Sequence, residues 1–142
     1  MKIALHGLAL KVEIISDIEK LFQELEKHQI EILVTEPLDR ALKMVGNKRL
    51  TYWLIENQEE LESVDFLISI GGDGTLLDAV CLVGSLEIPI LGLNTGRLGF
   101  LATAPTDKIG EVVENLATGN FQIESRSLIS LECSRRLFNG VN

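Results

Sequence analysis

The feature that most restricts how this chain can fold is the apolar run Val64-Asp65-Phe66-Leu67-Ile68-Ser69-Ile70, which delivers the backbone into Gly71-Gly72-Asp73-Gly74-Thr75. A nearly continuous apolar strand needs cover on both faces, the situation of a central strand in a parallel sheet. The glycines let the chain turn sharply, and Leu76, Leu77 and Val80 then predict a helix packing back on that sheet.

Other segments repeat the alternation of strand and helix. Lys2 to Leu5 reads as a short strand running into the turn His6-Gly7. Ile18, Leu21, Phe22 and Leu25 have the spacing of an amphipathic helix, with Ser16 and Glu19 as a capping box and an end near His28. Ile30 to Thr35 is a second strand, Leu38 to Val45 a short helix before Gly46, and Asn47 to Glu62 a polar connection. Ile88 to Leu93 is a further strand, followed by a second glycine-rich loop, Asn94-Thr95-Gly96-Arg97-Leu98-Gly99-Phe100. After Pro105, Thr106 is placed to cap a helix through Ile109, Val112, Val113 and Leu116 that stops at Gly119.

The order implies βαβ units and an α/β fold, a Rossmann-like parallel sheet with flanking helices. Both glycine loops follow strands, so both belong on the carboxyl edge of the sheet, where open α/β sheets bind ligands. Residues 1–119 are expected to form this nucleotide-binding domain. From Phe121 the sequence FQIESRSLISLEC alternates and no helix follows, which predicts that residues 120–142 begin a second, β-rich domain that the chain does not contain.

Charge and composition exclude several functions. A net charge of −8, from 13 basic and 21 acidic residues, argues against a nucleic-acid binder, which needs clustered Lys and Arg. A polyanionic nucleotide remains open, because backbone N–H groups and a divalent cation can supply local positive charge. The start, MKIALHGLALKVEII, is broken by Lys11 and Glu13, and no apolar run is long enough to span a bilayer, which predicts a cytoplasmic protein with no membrane partner. Cys81 and Cys133 have no neighbours at metal-ligand spacing and are expected to be reduced, buried thiols, so no protein-held metal is assigned.

Within the first loop, glycines ahead of a helix start suit phosphate, since the backbone can approach closely and the free N–H groups carry partial positive charge. The pattern is neither the common NTPase phosphate loop nor the dinucleotide fingerprint, whose third glycine position holds Leu77. Asp73 stands where a phosphate would repel it. It should bind a phosphate-bridging cation, accept a proton from an attacking hydroxyl, or simply cap the following helix in a tight turn. Its ordinary pKa of about 3.9 makes it a weak base, so positioning and charge stabilisation would carry most of the rate. In the second loop Arg97 is either a donor fork for phosphate or a solvated loop residue, and Phe100 either stacks on a flat ring or belongs to the core.

Gly71-Gly72-Asp73-Gly74-Thr75 after an apolar strand resembles the signature of a superfamily of NAD, diacylglycerol, sphingosine and 6-phosphofructokinases. The string Leu91 to Ala102, LGLNTGRLGFLA, is similar to the NAD kinase family in particular; the proline-containing loop of the lipid kinases is absent. The resemblance implies phosphoryl transfer from ATP to the adenosine-ribose 2′-hydroxyl of NAD, with Mg²⁺ assistance and in a homo-oligomer. Asp73 would be the base for that hydroxyl. Gly71, Gly72 and Gly74 would admit the dinucleotide and phosphates, Thr75 would begin the helix, and Leu77 and Phe100 would line the NAD pocket. Asn94, Thr95 and Arg97 would join them from the second loop. That family continues with an Asn-Glu or Asn-Asp pair and a Gly/Thr-rich segment, and FNGVN (Phe138 to Asn142) is similar to the approach to that pair, so the chain is expected to be inactive alone. A non-catalytic nucleotide-binding module and a lipid or sugar kinase are the alternatives.

Overall fold

The computed structural model describes residues 1–46, 50–96, 99–102 and 104–129. Among these, one six-stranded sheet runs in the order β3-β2-β1-β4-β5-β6, with β1 at Lys2–His6, β2 at Glu31–Val34, β3 at Trp53–Leu54, β4 at Phe66–Gly71, β5 at Ile90–Asn94 and β6 at Ala104–Pro105. Every neighbouring pair is parallel. The flanking helices are α1 (Ile15–Lys27), α2 (Glu36–Met44), α3 (Gln58–Glu62), α4 (Asp73–Val83) and α5 (Ile109–Thr118).

The apolar alternation of the strands divides the interior into two cores. Ile3 and Leu5 of β1, Ile32 and Val34 of β2, and Ile68 and Ile70 of β4 face α1, α2 and α5. The intervening Ala4, Leu33 and Leu67 face Leu61 of α3 and Ala79 and Val83 of α4. On α1 the expected stripe, Ile18, Leu21, Phe22 and Leu25, is buried, and each such side chain contributes about 1.5–3 kcal/mol by leaving water. The sheet is thus covered on both faces, as the uninterrupted apolar run of β4 requires.

Several local expectations are corrected by tertiary contacts. A 3-10 turn at Val12–Ile14 feeds directly into α1, so Ser16 lies inside the first turn and caps nothing. Burial of Ile14 in the core draws the helix start upstream of the polar cap signal. A similar turn at Thr106–Lys108 precedes α5, and Thr106 makes no capping bond. The polar connection contains β3 and α3, the latter capped by Asn57, whose Oδ1 accepts from the Glu60 N–H at 2.9 Å. Cys81 is exposed, because α4 meets the sheet through Ala79 and Val83 instead; Cys133 lies outside the described residues. Phe121 to Ile129 do not form the expected strand. A strand needs a partner, and the described residues offer this segment none; its one ring contact sets Phe121 edge-on to Phe66, with centroids 5.1 Å apart.

Candidate active site

The strand order creates the site. β1 and β4 lie side by side, but the chain leaves β1 towards α1 on one face and leaves β4 towards α4 on the other, so their carboxyl ends part at a topological switch point. His6 and Gly71 end these two strands, and Asn94 ends β5 beside Gly71. The two glycine loops are joined there directly, since the Thr95 N–H donates to the Gly71 carbonyl at 3.2 Å.

Asp73 is the centre of that junction. Its Oδ2 accepts from the Phe100 N–H at 2.9 Å, and its Oδ1 accepts from Leu101 N–H at 2.9 Å and Ala102 N–H at 3.0 Å. The carboxylate therefore grips the second loop and does not cap its own helix, which starts at Asp73 after a Gly72 cap position without a side-chain bond. The N–H groups of Ala102, then Phe100 and Leu101, hold its carboxyl below the usual carboxylate range, because each favours the charged form.

The glycines of the two loops have different reasons to be glycine. A Cβ on Gly71 would collide with Thr75 Oγ1, and one on Gly99 would collide with the Asp73 carboxylate, so these two are required by packing. A Cβ on Gly72, Gly74 or Gly96 would meet nothing within 4 Å. At Gly72 and Gly74 the bare backbone faces open space at a helix start, which is the arrangement that admits a phosphate. Thr75 stands in the first turn, two residues later than the helix start at Asp73, packed against Gly71.

Asn94 is buried and acts within the loop: Oδ1 accepts from Gly96 N–H at 2.9 Å, and Nδ2 donates to the Ala102 carbonyl at 3.1 Å. Leu77, expected to pack on the sheet, is 52% exposed, because Leu76 takes that place by fitting its Cδ1 against Gly92. Phe100 is 95% exposed, so it is no core phenylalanine. Arg97 lies outside the described residues. Among the described residues no three His, Cys, Asp or Glu side chains gather as a metal site. Asp73 lies on an open edge; it lines neither of two hollows, about 510 Å³ beside Leu8, Pro37 and Met44 and about 430 Å³ beside Asn57 and Leu82.

His6, expected in a turn, is instead the last residue of β1 and a buried polar link, with Nε2 2.9 Å from Asp78 Oδ2 and Nδ1 3.0 Å from Thr35 Oγ1. Nothing in the local sequence pairs these three residues. The one available signal was an ionisable side chain ending an otherwise apolar strand.

The ATP-NAD kinase N-terminal domain family matches residues 4–121. A curated NAD kinase of Cytophaga hutchinsonii is 36% identical over 143 aligned positions, which cover 100% of this chain and 49% of that protein. One of Bacteroides fragilis is 40% identical over 135 positions, 94% of this chain and 46% of its own length. One of Flavobacterium psychrophilum is 36% identical over 140 positions, covering 96% and 47% respectively. The chain spans about half the length of the curated relatives it matches.

Proposed function

The chain belongs to the ATP-NAD kinase family, and from that premise we propose that it supplies the nucleotide-binding half of an enzyme transferring the γ-phosphoryl group of ATP to the adenosine-ribose 2′-hydroxyl of NAD. The observation that carries this reading is the Asp73 carboxylate, held by three backbone N–H groups of the second glycine loop and set between glycines that the fold itself does not need.

The bonding of Asp73 suggests its role. A carboxylate has about four acceptor positions. Oδ1 uses two on Leu101 and Ala102, and Oδ2 uses one on Phe100, which leaves one position on Oδ2 for a hydroxyl proton. The same bonds weaken it as a base, so its contribution is to orient the hydroxyl and receive its proton as the phosphoryl group transfers, while alignment supplies most of the rate. Gly72 and Gly74 at the start of α4 leave room for phosphates against the positive end of the helix. Phe100 and Leu77 offer exposed apolar surface to a flat ring. Asn94 holds the loop in shape, with Thr95 tying it to Gly71.

In this reading Mg²⁺ arrives on the ATP phosphates as part of the substrate. The reading also includes a cytoplasmic homo-oligomer; among the described residues no helix is long and apolar enough to cross a membrane. A second, β-rich domain following residue 119 would close the cleft over Asp73. The test is Asp73→Asn in the full-length protein, with NADP formation, nucleotide binding and thermal midpoint measured together. We expect turnover to fall by at least about a hundredfold in a folded protein. Undiminished turnover would remove Asp73 from the chemistry and favour a non-catalytic use of the loops.

A further inference from the structure

His6 ends β1 on the face that α4 covers, 2% exposed, and both its ring nitrogens are engaged. Burial lowers its pKa, only partly offset by Asp78, so the ring is neutral and carries one proton at neutral pH. A carboxylate only accepts, which puts that proton on Nε2 facing Asp78; Nδ1 then accepts from the Thr35 hydroxyl. One side chain thus joins the end of β2, the end of β1 and the second turn of α4.

The proposed mechanism leaves this link without a use. Asp73 grips the second glycine loop, which makes loop and helix start a single unit. Something else must fix that unit on the sheet. Leu76 against Gly92 resists separation, but an apolar contact has little directionality and tolerates sliding. The His6–Asp78 bond is directional, and it anchors the unit to β1, on the other side of the switch point. Asp78 follows Asp73 within one continuous helix, so a shift at Asp78 is carried to the carboxylate.

We infer that His6 is a positioning residue for phosphoryl transfer: through Asp78 it sets where the first turns of α4, and with them Asp73, stand on the sheet. This rests on the reading of Asp73 as the group that receives the hydroxyl proton. The test uses the full-length protein with His6→Leu, His6→Gln, Asp78→Ala, the His6→Leu/Asp78→Ala double variant, and Asp73→Asn alongside. Steady-state kinetics with ATP and NAD are measured well below each thermal midpoint.

We expect His6→Leu and Asp78→Ala each to lower kcat roughly tenfold while KM for NAD and ATP stays within about twofold, since misplacement affects the transition state more than ground-state binding. The double variant should be no slower than the slower single, and His6→Gln, which retains a donor for Asp78, should recover most of the loss. Unchanged kcat in folded His6→Leu, losses that multiply in the double variant, or no recovery with Gln would each overturn the inference. If His6→Leu does not fold, Asp78→Ala and His6→Gln decide it, because Asp78 is half exposed. Asp73→Asn separates the two claims: retained turnover there sinks the reading of the site, whereas its loss with a fully active His6→Leu sinks only the positioning role.

Discussion

A methyl group is the smallest probe of why a glycine occupies its place, and at this edge it separates folding from ligand binding. At Gly99 a methyl would displace the Asp73 carboxylate, so Gly99→Ala should destabilise the protein by about 1–3 kcal/mol, read by denaturant unfolding. At Gly74 it would meet nothing, and the residue has no positive φ to lose. Gly74→Ala should leave stability unchanged or raise it by up to about 1 kcal/mol, while nucleotide affinity falls in the full-length protein. Equal affinity before and after would mean that no phosphate approaches there. Asp73 itself supplies a pH test. Its folded pKa is depressed, so its contribution to stability is present in full above the unfolded value of about 4 and is lost as pH falls through the folded value. Amide shifts of Phe100, Leu101 and Ala102 followed by NMR should move together below the ordinary aspartate range; movement at or above that range would show that the three bonds do not hold in solution.

Helix α4 lies close on the sheet because a row of residues there permits it. His6, Ser69 and Gly92 stand in register across β1, β4 and β5, and Asp78 and Leu76 descend onto the first and last of them. The apolar spacing of Leu76, Leu77 and Val80 located the helix correctly and misjudged its buried face, since that face depends on which strand positions are small. Helix α2 is held differently. Asp39 is buried and accepts from Lys43 Nζ at 2.7 Å and from the Tyr52 hydroxyl at 3.0 Å. Burial, then the bond to Asp39, pushes the Tyr52 phenol up to about 12. Tyr52→Phe should cost about 1–3 kcal/mol, because it leaves a buried carboxylate oxygen without that donor, and calorimetric unfolding would reveal it. No loss of stability would show that Lys43 alone satisfies Asp39. Helix α3, expected to be part of a polar connection, is short and begins at the Asn57–Glu60 cap, with Leu61 as its one buried residue.

For the whole molecule, the strand order sets function, because it alone brings the ends of β1, β4 and β5 to one place. Asp73 there faces an open edge, and the chain spans about half the length of its curated relatives. These 142 residues by themselves are expected to form no measurable NADP from ATP and NAD, because an open cleft admits water and does not enforce alignment; turnover by this chain alone would show that the site needs no further cover. Strand and helix alternation, the parallel sheet and the two glycine loops could be read from residue order, since periodicity and turn chemistry are local properties that the backbone obeys wherever a segment sits. Residue order was silent on the partners of the Asp73 carboxylate, on the His6–Asp78–Thr35 link and on the two-residue edge strands β3 and β6, and it left Phe100 open between the core and an exposed stacking position. Each of these depends on contacts between segments distant in the chain, whose energies exist only once the sheet has brought those segments together.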